Sequence, residues 1–182
     1  GTITHFLAVK EDITLRKKAE EELRIQRAYF HQLFENSPAA VVIVDGEERV
    51  VDANRTFVSL FQYSKEEMRG RSVNDLIVPE GHESEAKSLT RKARSQEMAY
   101  TESLRRKKDG SLVPVSILAA PIRIGDDTLG AFGIYRDITE RKRSEEAVLE
   151  SEARFRQLFD ENPVGYHEIY TSGRIVRVNK TE

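Results

Sequence analysis

The stretch Asp137–Glu146, DITERKRSEE, repeats Asp12–Glu21, DITLRKKAEE, at an offset of 125 positions, with seven of the ten residues identical. Asp12, Ile13, Thr14, Arg16, Lys17, Glu20 and Glu21 come back unchanged as Asp137, Ile138, Thr139, Arg141, Lys142, Glu145 and Glu146. The same offset carries Phe30, Gln32, Leu33, Phe34 and Pro38 to Phe155, Gln157, Leu158, Phe159 and Pro163, and Asn54 to Asn179. Twelve of the 23 positions from 12 to 34 match their partners, where ordinary residue usage gives about one in fifteen to twenty. Such a period is too long for a solenoid unit and suits one small domain plus a connector. The chain therefore divides into the end of one copy (1–14), a helical connector (15–34), a complete domain (35–139), a second connector (140–158) and the start of a further copy (159–182). The terminal pieces hold about one strand and about one hairpin, neither of which is stable alone in water.

Inside the complete copy, the apolar run from Ala39 to Val44 ends at Asp45 and Gly46 and is followed by Arg49 to Ala53, which reads as two strands around a tight turn. Asn54 can cap a short helix carrying Phe57, Leu60 and Phe61, and Ser64 with Glu67 has capping-box spacing for a second that stops at Gly70. From Glu83 to Ser95, Ala86, Leu89 and Ala93 recur at helical intervals among charged residues, predicting a longer amphipathic helix. Asp109 and Gly110 turn one strand (100–107) into another (112–121), and Gly125 to Asp127 leads to a last strand, 128–136. The order predicts an α+β domain with helices on one face of an antiparallel sheet. The other face needs cover from a connector helix or a second subunit.

Both connectors carry a heptad-like seam: Ala19, Leu23, Gln26, Phe30 and Leu33 in the first, Ser144, Val148, Ser151, Phe155 and Leu158 in the second. About three heptads with polar seam positions make a marginal coiled coil. A single helix, solvated or packed on its own domain, is the alternative.

Composition excludes several functions. The 29 basic and 31 acidic residues of the 182-residue chain nearly cancel, so no broad field attracts nucleic acid or an anionic membrane. No apolar run approaches the roughly 20 residues of a membrane span, and no signal-peptide pattern opens the chain. The expected segment is soluble and cytoplasmic. The chain has no cysteine, which removes disulfides, thiolate metal sites and cysteine nucleophiles. His5, His82 and His167 form no metal-ligand spacing with one another or with carboxylates. His31 aligns with Arg156 under the repeat and reads as a connector surface residue rather than a phosphoacceptor. No phosphate-cradling glycine loop or nucleophile elbow is present. No catalytic residue and no metal ligand is assigned.

The Asp137–Lys142 segment and its earlier copy Asp12–Lys17 resemble the end of a PAS domain entering its signalling helix. Phe155 to Phe159, Asn54 after the second strand, and Lys108 to Ser111 fit the same family, whose likeness extends over the whole chain. The resemblance implies a five-stranded antiparallel sheet with helices on one face, flanked by the coiled-coil-like helices. It implies a cavity beneath those helices, where alternation presents Val42 and Val44, then Val115, Ile117 and Ala119, then Ala131, Gly133 and Tyr135. Phe57, Leu60, Met68 and Leu89 join from the helices. Gly133 leaves room in mid-strand, although a filled core without ligand is an equal alternative. The ligand is unspecified, a small apolar or mixed molecule. Flavin photochemistry through a cysteine is excluded, and haem is disfavoured because His82 precedes the long helix and Ala86 lies nearer the axial position.

Similar tandem segments occur in sensor histidine kinases and diguanylate cyclases, which implies a sensory and relay module rather than an enzyme. The relay residues are Asp12 and Thr14 in one copy and Asp137, Ile138 and Thr139 in the next. Asp137 holds the strand-to-helix corner through a basic partner, and Thr139 caps the helix. The expected partners are a second copy of the chain through the connectors, and neighbouring PAS and output domains. A ligand-free spacer that dimerises and relays is the alternative function.

Overall fold

The computed structural model describes residues 11–94, 98–161, 163–165 and 167–179. The strand expected at the start of the chain falls in 1–10, outside the described residues. The elements are α1 (Thr14–Glu35), β1 (Ala40–Asp45), β2 (Val50–Ala53), α2 (Arg55–Phe61), α3 (Lys65–Met68), α4 (Val73–Ile77) and α5 (Glu83–Arg94). They continue with β3 (Ala99–Arg106), β4 (Leu112–Ile124), β5 (Asp127–Asp137), α6 (Thr139–Asp160), β6 (His167–Ile169) and β7 (Ile175–Val178). The chain separates into two compact units at Arg136/Asp137.

In the first unit the strand order β2-β1-β5-β4-β3 places the first and last strands of the domain side by side. Ala40 pairs with Tyr135 and Asp45 with Gly130 across β1 and β5. A Cβ on Gly130 would come within 2.1 Å of the Val44 carbonyl oxygen, so only glycine permits this approach.

Local chemistry sets the small helices. The Asn54 side chain accepts from the Phe57 amide at the head of α2, and Ser64 and Glu67 exchange both capping-box bonds around α3. Helix α4 escapes the sequence reading because five residues are too few to display a helical period. Phe57, Phe61, Met68, Leu76 and Ile77 from this layer pack with Val42, Val115 and Ile117 of the sheet, all at most 1% exposed. Burying each such side chain contributes about 1.5–3 kcal/mol.

Asn54 is the hub of this layer. Its Nδ2 donates to the carbonyls of Phe34 (3.0 Å) and Ala39 (2.9 Å), while Oδ1 accepts from the amides of Val41 and Phe57 at 2.9 Å. One amide side chain thus ties the end of α1 to the starts of β1 and α2. Glu35, also at the end of α1, accepts from Lys65 Nζ at 2.5 Å and from the Arg55 amide at 3.1 Å. The hydrogen bond from Lys65 holds the Glu35 carboxyl below its usual range against the opposing effect of burial.

The second unit comprises α6 and the β6–β7 hairpin. None of the α6 side chains is buried, and Val148, Leu149, Phe155 and Leu158 are more than half exposed. Its hairpin pairs His167 with Val178, Glu168 with Arg177 and Ile169 with Ile175, with a register shift after Glu168. Under the 125-residue offset these are the pairs Val42–Ala53, Ile43–Asp52 and Val44–Val50 of the first hairpin, shift included.

Candidate functional site

Between the sheet and the helices lies a cavity of about 50 Å³. Of the expected lining residues, Val42, Val44, Leu89, Ala119, Gly133 and Tyr135 border it, together with Ala131. Phe57, Met68, Val115 and Ile117 instead sit in the packed core, with Leu60 against it. The space is well below the roughly 300–1,000 Å³ of a drug-sized ligand site and has room for about three or four waters.

Gly133 does not open the cavity as expected. A Cβ there would meet the Tyr135 ring at 3.0 Å, so the room left by the glycine is filled by the side chain two residues on, on the same strand face. That ring also meets Phe57 and Phe61 edge-on, each with centroids 5.5 Å apart. Tyr135 is 6% exposed, and burial pushes its phenol above the usual pKa while the Arg105 charge pulls the other way.

The wall contains polar groups absent from the sequence reading. Arg105, 1% exposed, borders the cavity with Glu48, Asn74 and Thr90. Its register partner on β4 is the buried Val113, which directs this arginine to the helix side of the sheet. The guanidinium donates at 2.8 Å to Ser103 Oγ and to the Leu104 carbonyl, and at 3.4 Å to Glu85 Oε1 on α5. Ser103 Oγ donates to the other oxygen of Glu85. Alternation from Ala99 would have found Arg105, since 99, 101, 103 and 105 share one strand face.

At the end of β5, Asp137 Oδ1 accepts from the Thr139 amide at 2.8 Å and from its hydroxyl at 2.5 Å. Asp12 Oδ1 accepts from the Thr14 amide at 2.9 Å in the same way. The residue at the N-cap of α6 is Ile138, 5% exposed, not Thr139, and its side chain makes no cap bond. Asp137 takes over that capping from one residue upstream, and among the described residues it has no basic partner.

Among the described residues, no helix is long and apolar enough to cross a membrane, and no group of three His, Cys, Asp or Glu side chains could hold a metal.

Comparison with known proteins places this architecture. Sporulation kinase E of Bacillus subtilis is 27% identical over 187 residues, covering 97% of this chain and 23% of that protein. The sensor protein FixL of Bradyrhizobium diazoefficiens is 23% identical over 155 residues, covering 82% of this chain and 30% of that protein. The chain thus spans less than a third of the length of either relative. A solved PAS domain from Colwellia psychrerythraea matches with a TM-score of 0.57 at 31% identity, covering 65% of this chain and 98% of that domain. The PAS fold family matches residues 28–138, which take in the whole five-stranded sheet and its helical layer. The chain belongs to the PAS fold family.

Proposed function

We propose that the 35–139 domain is the sensory and relay module of a larger signalling protein, flanked by the end of one PAS copy and the start of another. A small ligand in the cavity shifts the sheet, and β5 passes the shift through Asp137, Ile138 and Thr139 into α6 and on to an output domain. The observation that carries this reading is the continuity of β5. Ala131, Gly133 and Tyr135 border the cavity, and the same strand ends at Asp137, two residues before α6. Coupling along it is bounded by the ligand's differential affinity for the two states. The sensor-type relatives support a two-component output, with cyclic-dinucleotide synthesis as the other candidate. Catalysis then belongs to the output domain and not to this segment.

The second reading, a ligand-free spacer that dimerises and relays, draws on the small cavity and on the exposed seam. Tyr29, Phe30 and Leu33 of α1, like Val148, Leu149, Phe155 and Leu158 of α6, are more than half exposed. In both readings two copies of the chain associate through these helices. Melting of the purified chain across a metabolite panel tests the pair. A ligand-dependent rise supports the sensor, because a molecule that binds only the folded state stabilises it by mass action. A flat panel, with twice the chain mass by light scattering, supports the spacer.

A further inference from the structure

On the reading that the cavity is a ligand site, we infer that it takes a small carboxylate of about four heavy atoms, held by Arg105 and Tyr135 in competition with Glu85. Arg105 is a guanidinium buried to 1% exposure in the cavity wall. Its contact with Glu85 is 3.4 Å, long beside the roughly 2.7–2.9 Å of a good charge-assisted bond. The Glu85 side chain is 34% exposed, so it can turn to water without stranding its own charge. The guanidinium has no such exit, and a carboxylate is the partner that matches its planar donors in a bidentate pair.

Tyr135 supplies a second donor. The side chain is 6% exposed and borders the cavity, and none of the described residues hydrogen-bonds its hydroxyl. Burial raises the phenol's pKa, so the hydroxyl keeps its proton at neutral pH and can donate it to a ligand that brings an acceptor into the cavity it borders. The other carboxylate in the wall, Glu48, is engaged by Asn74 Nδ2 at 3.2 Å, and this leaves Arg105 as the cation in the wall. Val42, Val44 and Ala119 provide an apolar bed for the ligand's carbon end. Exchange of Glu85 for the ligand would release the tie between α5 and β3, which gives the cavity a way to report occupancy.

The test titrates the 182-residue chain with sodium acetate, and with acetamide as its neutral isostere, at constant ionic strength set by sodium chloride. Heteronuclear NMR follows the Arg105 Nε–H and the Tyr135 ring. Acetate should give saturable shifts, with acetamide at least about tenfold weaker. Tyr135→Phe should weaken acetate several-fold. Glu85→Gln should tighten it several-fold, a gain that a purely structural role for Glu85 would not produce; this variant keeps the test informative if Arg105 replacements fail to fold. Acetamide binding as tightly as acetate would overturn the carboxylate assignment and leave the ligand-site reading standing. Weaker or unchanged acetate binding in Glu85→Gln would overturn the competition. No saturable shift with either probe, in the parent chain and in Glu85→Gln, would overturn the proposal and count against the ligand-site reading as well.

Discussion

The two hairpins, β1–β2 and β6–β7, have the same register, the same shift and the same turn, but their surroundings differ. The Asp45 amide donates to the Arg49 carbonyl at 3.0 Å, and 125 residues later the Tyr170 amide donates to that of Arg174 at 2.9 Å. Asn54 Nδ2 reaches the Ala39 carbonyl, and Asn179 Nδ2 reaches that of Val164, again one repeat apart. Yet Val50 is 3% exposed while its counterpart Ile175 is 56% exposed. The hairpin is written locally, in turn residues and strand alternation, whereas burial comes from the elements that pack over it. A hairpin by itself is marginal in water, so the first draws its stability from a layer that the described residues do not place over the second.

The sharpest break of this comparison is a charge at the matched apolar position. Val50→Asp should destabilise the first unit by about 4 kcal/mol or more, while Ile175→Asp changes unfolding by about 0.5 kcal/mol or less. Urea denaturation followed by tyrosine near-ultraviolet dichroism measures both, and equal effects would refute the contrast.

The asparagine pair is next. Asn54→Ala removes partners from several buried backbone groups at once and should cost about 3 kcal/mol. Asn179→Ala should cost less in the same assay: Asn179 is itself buried at 4% exposure, but Ile169 and Ile175 of its hairpin are exposed, so fewer buried groups depend on it.

Smaller effects belong to the clamp at the end of α1. Lys65→Met leaves the Glu35 carboxylate buried with fewer donors and should cost about 1–3 kcal/mol at neutral pH. Because the folded state lowers the pKa of Glu35 from 4.5, its stabilising contribution is present above that value and is lost as pH falls through the lower folded one. Acid titration of stability should therefore be flatter in Glu35→Gln than in the parent chain. Asp160, the counterpart of Glu35 at the end of α6, is not buried.

The least costly change is Asp137→Ala. It removes an exposed turn-capping carboxylate and should cost about 1 kcal/mol or less, measured by thermal unfolding.

Much of the fold was legible because its signals are short in range. Asp45-Gly46 and Asp109-Gly110 mark turns, Asn54 and Ser64 mark helix starts, and alternation assigns sheet faces. The cavity was harder to read. Alternation placed Gly133 and Tyr135 on one face but could not tell which way the Tyr135 ring would lie, and that choice turned an opening into a filled corner. Arg105 was missed for the opposite reason. A strand containing Glu102, Arg105 and Arg106 looks like a solvated edge, although alternation from Ala99 puts Arg105 on the inner face, where it pairs with the buried Val113. Ile138 at the N-cap reflects the same limit, since Asp137 does the capping from one position earlier than a helix-start rule expects.

The relay itself is tested most directly without knowing the ligand. Ala119→Val fills part of the cavity, and hydrogen exchange then reads the amides of 139–142 in the first turn of α6. The account predicts a several-fold change in exchange there, and its loss when Asp137→Ala is added. A change confined to the strands, with the α6 amides unaltered, would contradict it.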